Sequence, residues 1–374
     1  MEYEAFNKLN NNKYIKQTID LAKKGLSRVS PNPLVGCIIV ENNQIISTGW
    51  HKEFGGHHAE VNAINNTEIT DFTNSTIYVS LEPCTHFGKT PPCTDLIIKH
   101  KFKKVVIGML DPNPLVAGKS LQKFKDAGIQ VNYGYFEDEL KWLNRTFIKN
   151  MKNKFPYIIA KFGQSIDGKI MTSTGKSKWI TSEDSRKKAH QFRNEFDAIM
   201  VGKETAKNDN PKLNVRNVRN IKGRDPKRII IDTKLSLDEN LSIYSDDNSD
   251  LTYIVYNQNL ANKEKEGRLL AKRIKLIDCE LNKDNMLNIK SILPTLYNKH
   301  DIGSIIIEGG SQLLSYFVQQ KLIDEFHIFI APIIIGKGKS AFENYSIDNL
   351  SEAFKFDIKE IERIGDDIFI TGVI

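Results

Sequence analysis

The sequence predicts an α/β protein of two domains, on three observations. The chain has 374 residues, more than twice the ~150 residues of an average domain. A hairpin pattern near the N-terminus is followed by alternating helix and strand patterns, and a second such series fills the C-terminal half. Between the two lies a polar, lysine-rich segment, residues 150–155, which precedes Pro156. We therefore expect domains at residues 1–150 and 156–374.

The first domain begins with a predicted helix over residues 14–26, because apolar side chains there recur on one helical face. Two apolar runs, residues 35–40 and 45–48, flank a polar turn and predict a hairpin. The rest of the pattern alternates between helix and strand periodicity. We expect helices from residue 59 and over 95–100, 118–127 and 138–149, and strands over 76–81, 104–109 and 129–133.

The second domain shows short apolar runs that are typical of buried strands. These runs cover residues 157–162, 198–201, 228–231, 251–256, 274–277, 304–307 and 325–330. The last strand, residues 368–373, alternates apolar and polar side chains. An apolar helix is expected over residues 312–320, directly after a strand and two glycines.

Composition and charge exclude several classes of protein. Hydrophobic residues make up 40% of the chain and charged residues 26%, which argues against disorder. No apolar run approaches the ~20 residues that span a bilayer, so we expect a cytoplasmic protein with no membrane partner. The net charge is +7, but no block of five or more basic residues occurs. We therefore expect no nucleic-acid partner, with local phosphate sites allowed.

The four cysteines are too few for a disulfide framework in a chain of this length. Cys37 lies in an apolar run and is expected to be a small core residue. Cys279 has no metal-ligand residue type close by in sequence and is expected to be structural or free. Cys84 and Cys93 instead lie in a polar, proline-rich segment after a strand, a poor place for inert buried cysteines.

A zinc site is the strongest functional signal. His58 is followed two residues later by Glu60, and Cys84 and Cys93 each follow a proline. One histidine and two cysteines suit zinc, and three protein ligands leave a fourth position open for water. Glu60 is not needed as a ligand and is free to shuttle protons, which is the arrangement of zinc nucleobase deaminases. Zinc lowers the pKa of bound water to roughly 7, so we expect a hydrolytic deaminase.

Three alternatives remain open from the sequence. His57, next to His58, is a possible competing ligand. A base deaminase acting on tRNA or DNA uses the same zinc chemistry and would carry the second domain as an accessory nucleotide-binding domain. A non-catalytic zinc module fused to such a domain is the third, and Glu60 argues against it.

Four segments of the first domain resemble the family of bifunctional riboflavin biosynthesis deaminase/reductases. They are residues 31–36 (PNPLVG), 58–61 (HAEV), 81–93 (LEPCTHFGKTPPC) and 111–114 (DPNP). The family usually has proline before the histidine of its H-A-E motif, where this chain has His57. The resemblance implies a cytidine-deaminase-like α/β/α domain whose substrate is 2,5-diamino-6-ribosylamino-4(3H)-pyrimidinone 5′-phosphate. It implies substrate contacts from Asn32, His86, Lys89, Asp111 and Asn113.

The second domain is similar to the reductase domain of the same family. The similar segments are residues 160–170, 179–182, 190–193, 201–205 and 209–213. Residues 305–311 (IIIEGGS) run from a strand through two glycines into a helix, where backbone N–H groups can approach a pyrophosphate, although the pattern is not G-x-G-x-x-G. The resemblance implies a fold like that of dihydrofolate reductase, an NADPH cofactor and reduction of the ribosyl group to ribityl.

The resemblance also implies the reductase site residues. Those expected to face the substrate are Lys161, Arg193, Asp209, Leu213, Arg216 and Glu308. Those expected to contact NADPH are Lys161, Trp179, Thr181, Gly202, Thr205, Asp209, Gly309, Gly310 and Ser311, with Ser311 capping its helix. Taken alone, Asp209 could cap a turn and Arg193 could be a surface residue of a helix. The sequence allows a homo-oligomer without predicting one.

Overall fold

The computed structural model describes residues 2–87, 91–113, 116–220, 223 and 225–374, with the backbone alone over residues 2–8. The chain divides into two units, Met1–Lys154 and Phe155–Ile374. Each unit is built on its own mixed sheet.

The N-terminal unit contains a five-stranded sheet in the order β2-β1-β3-β4-β5. The β1 strand runs antiparallel to β2 and β3, whereas β3, β4 and β5 are parallel. The strands are β1 (Gly36–Glu41), β2 (Gln44–Trp50), β3 (Thr76–Leu81), β4 (Lys104–Met109) and β5 (Gln130–Tyr133). The helices are α1 (Glu2–Lys23), α2 (Ala59–Asn65), α3 (Cys93–Lys99), α4 (Lys119–Asp126), α5 (Glu137–Leu143) and α6 (Arg145–Asn153).

Strand alternation in this sheet builds two apolar layers, because successive side chains point to opposite faces. Ile77 and Val79 of β3 join a core with residues of α2, α3 and α4, whereas Tyr78 packs on the opposite face with Tyr14 and Ile15 of α1. The sheet is therefore covered by helices on both faces. Helices α2 and α3 begin at the same sheet edge where β3 ends, and this edge carries the predicted metal ligands.

The C-terminal unit contains a nine-stranded sheet in the order β11-β10-β9-β8-β12-β6-β13-β16-β15, and a two-stranded sheet of β7 and β14. The first seven strands of that order are parallel, and β16 runs antiparallel to both of its neighbours, β13 and β15. The strands are β6 (Tyr157–Ser165), β7 (Lys169–Thr172), β8 (Ala198–Gly202), β9 (Lys227–Ile231), β10 (Thr252–Tyr256), β11 (Lys275–Asp278), β12 (Ser304–Glu308), β13 (Glu325–Ala331), β14 (Gly338–Ser340), β15 (Asp357–Ile364) and β16 (Asp367–Val373).

Helices cover both faces of the large sheet, each over its own apolar core. They are α7 (Glu183–Glu195), α8 (Lys203–Asp209), α9 (Ser242–Ser245), α10 (Lys263–Ala271), α11 (Ile289–His300) and α12 (Ser311–Gln319), with short 3₁₀ turns at Ser249–Leu251 and Leu350–Glu352. The central strands β8, β12 and β6 are parallel neighbours, so their carboxyl ends share one edge. In open α/β sheets such an edge is where ligands bind.

The structure corrects several expected elements. The helix expected over residues 14–26 spans Glu2–Lys23. The helix expected over 138–149 is two helices, because the buried amide of Asn144 bonds both the N–H (2.7 Å) and the C=O (3.1 Å) of Leu34 at the junction. The segment 150–155, expected as a linker, is helical through Asn153. Strand β15 was not predicted, because its outer side chains are mostly charged and exposed.

Among the described residues, no helix combines the length and apolar character needed to cross a lipid bilayer. Cys37 is fully buried in the N-terminal core, as its apolar neighbours predicted. Cys279 is also buried, and all four cysteines are free thiols.

Candidate active sites

The three predicted metal ligands converge in the N-terminal unit. His58 immediately precedes α2, Cys84 follows the end of β3, and Cys93 is the first residue of α3. His58 Nδ1 lies 3.2 Å from Cys93 Sγ and 3.6 Å from Cys84 Sγ. Within the described part of the chain this is the one group of three such side chains whose ligand atoms lie close enough to share a metal.

These distances fit a tetrahedral zinc ion. Bonds of roughly 2.0–2.3 Å at tetrahedral angles separate a nitrogen from a sulfur ligand by about 3.6 Å. The side chain of His57 is exposed and outside the group. Only its backbone carbonyl turns inward, where it accepts hydrogen bonds from His51 (3.0 Å) and from Asn62 (3.2 Å). The His57 side chain is therefore not placed to compete as a ligand.

Glu60 lies on the first turn of α2 beside the ligands and is 3% exposed. Burial, followed by the charge of Cys84, raises the pKa of its carboxyl to about 7. A hydrogen bond from Cys93 lowers the pKa of the Cys84 thiol to about 4, because it stabilises a thiolate there. A thiolate is the form that binds zinc, and a carboxyl with a pKa near 7 can both take and give a proton at neutral pH.

A cavity of about 380 Å³ opens onto Glu60 and the ligands His58 and Cys84. Its size is within the range of small-molecule sites. The cavity is lined by four residues that the resemblance implied as substrate contacts, Asn32, His86, Asp111 and Asn113. The fifth, Lys89, lies outside the described residues.

His51 also lines this cavity, although the sequence did not single it out. Its ring is buried between the carbonyl of His57, 3.0 Å from Nδ1, and the amide of Asn32, 3.1 Å from Nε2. Because Nδ1 faces an acceptor it carries the proton, so Nε2 accepts from the Asn32 amide N–H₂. The Asn32 carbonyl oxygen then remains available as an acceptor for a ligand. A histidine directly after a strand was the signal that could have found this residue.

Glu82 is a second residue of the cavity that the sequence did not single out. Its carboxylate is buried and accepts hydrogen bonds from Asp111, Gly118 and Ser120. A carboxylate two residues before Cys84, at the end of a buried strand, was the available signal.

The C-terminal unit brings together Lys161, Arg193 and Glu308 at the edge where β6 and β12 run side by side. Arg193 of α7 contacts Glu308 at two points, Nε–Oε1 at 2.8 Å and Nη2–Oε2 at 2.7 Å. Lys161 Nζ lies 3.7 Å from the same carboxylate. Arg193 is only 8% exposed, so it is not a surface residue of its helix.

Electrostatics in this cluster favour an anion. Burial opposes the charge of Glu308, but Arg193 and Lys161 outweigh it and hold the carboxyl pKa well below its usual range. Burial, opposed by Glu308, lowers the pKa of Lys161. Arg216 interacts with Arg193 and Glu308, and its backbone N–H bonds His190 Nδ1 at 3.3 Å. Three cationic side chains face one carboxylate, which leaves an excess of positive charge.

Beside this cluster, the ends of β8 and β12 form a glycine-rich edge. Gly202 ends β8 with open space where a Cβ would lie. Gly309 and Gly310 follow β12 with φ of +79° and +82°, a backbone region that favours glycine. Thr205 Oγ1 lies 3.2 Å from the position that a Cβ on Gly310 would occupy. The backbone of Gly310 and the side chain of Thr205 therefore approach each other closely, whereas the space beside Gly202 is open.

Three other residues that the resemblance implied for the reductase site differ in burial and in contacts. Ser311 is the first residue of α12, and the cap is Gly310 without a side-chain bond, so the expected capping role of Ser311 is wrong. Leu213 is buried in an apolar core at φ +50°, so its side chain does not face open solvent. Asp209 ends α8 and lies 3.9 Å from Lys178, and it is only partly exposed.

Trp179 and Thr181 lie in the segment between β7 and α7. The Trp179 ring is 66% exposed, and the Arg186 guanidinium lies 4.4 Å from its centre. Arg186 also donates to the Thr181 carbonyl at 2.7 Å. An exposed aromatic ring held by a cation is suited to stacking on a planar ligand.

Comparisons with known proteins agree with this division of the chain. Residues 9–109 match the cytidine and deoxycytidylate deaminase zinc-binding region, and residues 156–370 match the RibD C-terminal domain. The riboflavin biosynthesis protein RibD of Aquifex aeolicus is 38% identical over 357 residues, covering 96% of each chain. The chain belongs to the RibD family.

Two solved structures extend this likeness to the whole fold. RibD of Acinetobacter baumannii superposes with a TM-score of 0.86 at 33% identity, covering 97% of this chain and 98% of that one. A diaminohydroxyphosphoribosylaminopyrimidine deaminase/5-amino-6-(5-phosphoribosylamino)uracil reductase of Thermotoga maritima gives 0.83 at 35% identity, with the same coverage. The predicted two-domain α/β fold, with a deaminase-like and a reductase domain, is confirmed.

This RibD-family chain is a bifunctional riboflavin biosynthesis enzyme, a deaminase and a reductase. Its cofactors are Zn²⁺ and NADPH, as the sequence predicted. The ligand group of His58, Cys84 and Cys93 lies within the unit that matches the deaminase region.

Proposed function

We propose that the N-terminal unit deaminates 2,5-diamino-6-ribosylamino-4(3H)-pyrimidinone 5′-phosphate and that the C-terminal unit reduces the deaminated product to 5-amino-6-(5-phosphoribitylamino)uracil. The two activities for which the Thermotoga maritima relative is named support this substrate and order. The observation that carries the proposal is the three-ligand group beside the buried Glu60, where Glu60, His58 and Cys84 line a cavity of about 380 Å³.

In the deaminase, we assign the zinc to His58, Cys84 and Cys93. When bound, zinc supplies hydroxide at neutral pH by lowering the pKa of water. Glu60 takes a proton from the attacking water, passes it to the ring nitrogen, and then assists the departure of ammonia. Its raised pKa, about 7, suits this exchange because neither protonation state is strongly preferred near neutral pH.

The cavity walls orient the pyrimidine. Asn32, with its amide held by His51, presents a carbonyl oxygen to a donor on the ring edge. Asp111, Asn113 and His86 offer further polar groups along the lining of the same cavity. We assign Lys89 to the 5′-phosphate or a ring oxygen on the resemblance alone.

In the reductase, we propose that Lys161, Arg193, Arg216, Asp209, Leu213 and Glu308 bind the substrate. The arginines attract its phosphate, which the excess of positive charge favours. Leu213 contributes through its backbone, because its side chain is buried. NADPH supplies the hydride, and we assign its site to Lys161, Trp179, Thr181, Gly202, Thr205, Asp209, Gly309, Gly310 and Ser311.

We propose functional domains at residues 1–150 and 156–374, close to the division of the chain after Lys154. We further propose a small-molecule substrate rather than a nucleic acid, because the deaminase cavity is of small-molecule size. We also propose a cytoplasmic location for the enzyme, and the proposal allows a homo-oligomer.

The test uses purified protein with zinc and the diaminopyrimidine ribotide, with and without NADPH. We expect ammonia release in both samples. In the sample with NADPH, the amount of NADPH oxidised should equal the amount of ammonia released. Ammonia release without any NADPH oxidation would remove the reductase half of the proposal. Deamination of tRNA, with none of the ribotide, would favour the nucleic-acid alternative.

A further inference from the structure

Glu82 makes an unusually complete set of hydrogen bonds for a buried carboxylate. It follows β3 and is 3% exposed. Its Oε1 accepts from the N–H (3.1 Å) and the hydroxyl (2.7 Å) of Ser120. Its Oε2 accepts from the N–H groups of Asp111 (3.1 Å) and Gly118 (3.0 Å). All four partners are donors, so the ionised carboxylate satisfies every one of them.

Two of these bonds cap a helix from another part of the fold. Helix α4 starts after Gly118, which has φ of +78° and no side chain to cap the first turn. Free N–H groups in the first turn need an acceptor and favour a negative charge. Glu82 lies 36 positions before Gly118 in the chain. Its carboxylate supplies both the acceptor and the negative charge to the N–H groups of Gly118 and Ser120.

The bond from Asp111 N–H holds the wall of the active-site cavity in place. Asp111 and Gly118 lie at either end of the segment that carries Asn113. Within it, Asn113 N–H donates to Asp111 Oδ1 at 2.8 Å, and Val116 N–H donates to the Asn113 carbonyl at 2.8 Å. Glu82 therefore holds Asp111 and Gly118 against the end of β3, two residues before the metal ligand Cys84.

We propose that Glu82 is a positioning residue of the deaminase, which sets Asp111 and Asn113 at a fixed distance from the metal ligands. The inference rests on the proposed function, because it takes Asp111 and Asn113 as substrate contacts. Glu82 does not itself react. Its charge-assisted hydrogen bonds fix Asp111 and Gly118 relative to the end of β3.

The first test is Glu82→Gln. In either orientation, the glutamine amide turns an N–H₂ group toward two donors, so two of the four bonds are lost. We expect KM for the ribotide to rise about ten-fold or more, with kcat changed less and zinc content unchanged. Ser120→Ala, which removes only the hydroxyl donor, is the milder variant and should raise KM by a smaller factor. Glu41→Gln is the matched control, because Glu41 accepts from Ser75 (2.6 Å) away from the cavity.

A double-mutant cycle distinguishes positioning from simple stabilisation. If Glu82 acts through Asn113, the Glu82→Gln/Asn113→Ala variant should have a KM within about two-fold of the worse single variant. Effects on KM that multiply, or a lowered melting temperature with unchanged KM, would overturn the proposal.

Hydrogen exchange tests the anchoring without any turnover. In Glu82→Gln, amides of residues 111, 118 and 120 should exchange faster, while those of α1 should not change. Unchanged exchange at those three amides would also overturn the proposal. Failure of the wild-type enzyme to release ammonia would instead count against the proposed function.

Discussion

Arg193 and Glu308 are 115 residues apart in the chain, yet their side chains meet at two points, 2.8 and 2.7 Å apart. The pair joins helix α7 to the end of strand β12 and is almost entirely buried. A two-point contact between a guanidinium and a carboxylate fixes the direction of both groups. It therefore orders the positively charged part of the reductase site before any substrate arrives.

Glu308→Gln should impair the reductase in both activity and stability. The change leaves Arg193 and Lys161 without their charge partner in a buried site, which costs roughly 3 kcal/mol or more. We expect NADPH oxidation to fall at least ten-fold and the C-terminal unit to melt earlier, with ammonia release retained. Calorimetry and the two assays check this.

The control for the Glu308→Gln variant is Arg268→Lys, a change in an exposed ion pair. Arg268 also contacts a carboxylate, Glu239, at 2.9 Å, but its side chain is 55% exposed. Exposed ion pairs contribute about 0–1 kcal/mol, so this variant should melt like the wild type. Equal losses in Glu308→Gln and Arg268→Lys would contradict the importance of burial.

Glu60→Gln should keep zinc and lose deamination. The amide has the same shape but cannot exchange a proton, and general acid–base catalysis contributes roughly 10²–10⁴-fold. We expect a fall of that size in ammonia release, with metal content and reduction of the deaminated substrate unchanged. The exposed Glu68→Gln is the control. Surviving deamination in Glu60→Gln would show the assigned mechanism to be wrong.

Removal of the metal should separate the two activities. A chelator, or the variant Cys84→Ser, should abolish ammonia release because the ligand group is broken. Oxidation of NADPH by the deaminated substrate should continue at the wild-type rate. Metal analysis should give one zinc per wild-type chain and one per chain of Cys279→Ala, whose cysteine lies in the other unit. A zinc content unaffected by Cys84→Ser would count against the assigned ligands.

Gly310→Ala should weaken NADPH binding. Alanine is strained at φ +82°, and its Cβ would lie 3.2 Å from Thr205 Oγ1, inside the assigned cofactor site. We expect the KM for NADPH to rise several-fold with little change in the KM for the deaminated substrate. Gly267→Ala is the control, because Gly267 lies within α10 with no atom near its Cβ position and should be neutral or stabilising.

His190 should make the reductase unit sensitive to mild acid. Burial, then the charges of Arg193 and Arg216, lowers its pKa to about 3, whereas an unfolded histidine has a pKa near 6.5. Between pH 6.5 and 3 the unfolded state therefore binds the extra proton, so stability falls as pH falls; above pH 6.5 both states are neutral and the effect vanishes. Calorimetry from pH 7 to 4.5 should show a shallower loss in His190→Asn than in the wild type.

Much of the metal site was predictable from the sequence because its chemistry is local. His58 and Glu60 are two residues apart, and Cys84 and Cys93 share one proline-rich segment, so residue types and spacing indicated the site directly. The strands over Thr76–Leu81 and Lys104–Met109 were also predicted with their observed bounds, because short apolar runs between turns are strong signals. The break at Asn144 was not predicted, since its cause is a hydrogen bond to the distant Leu34.

By itself, the sequence determined the α/β class and predicted the ligand set and the free carboxylate, because these depend on residue type and on periodicity between near neighbours. Only the tertiary structure decided that Arg193 meets Glu308, that His51 orients Asn32, and that Glu82 holds Asp111 and Gly118. Each of these is a contact between common residue types far apart in the chain. Their partners are chosen by how strands and helices pack, which no local pattern records.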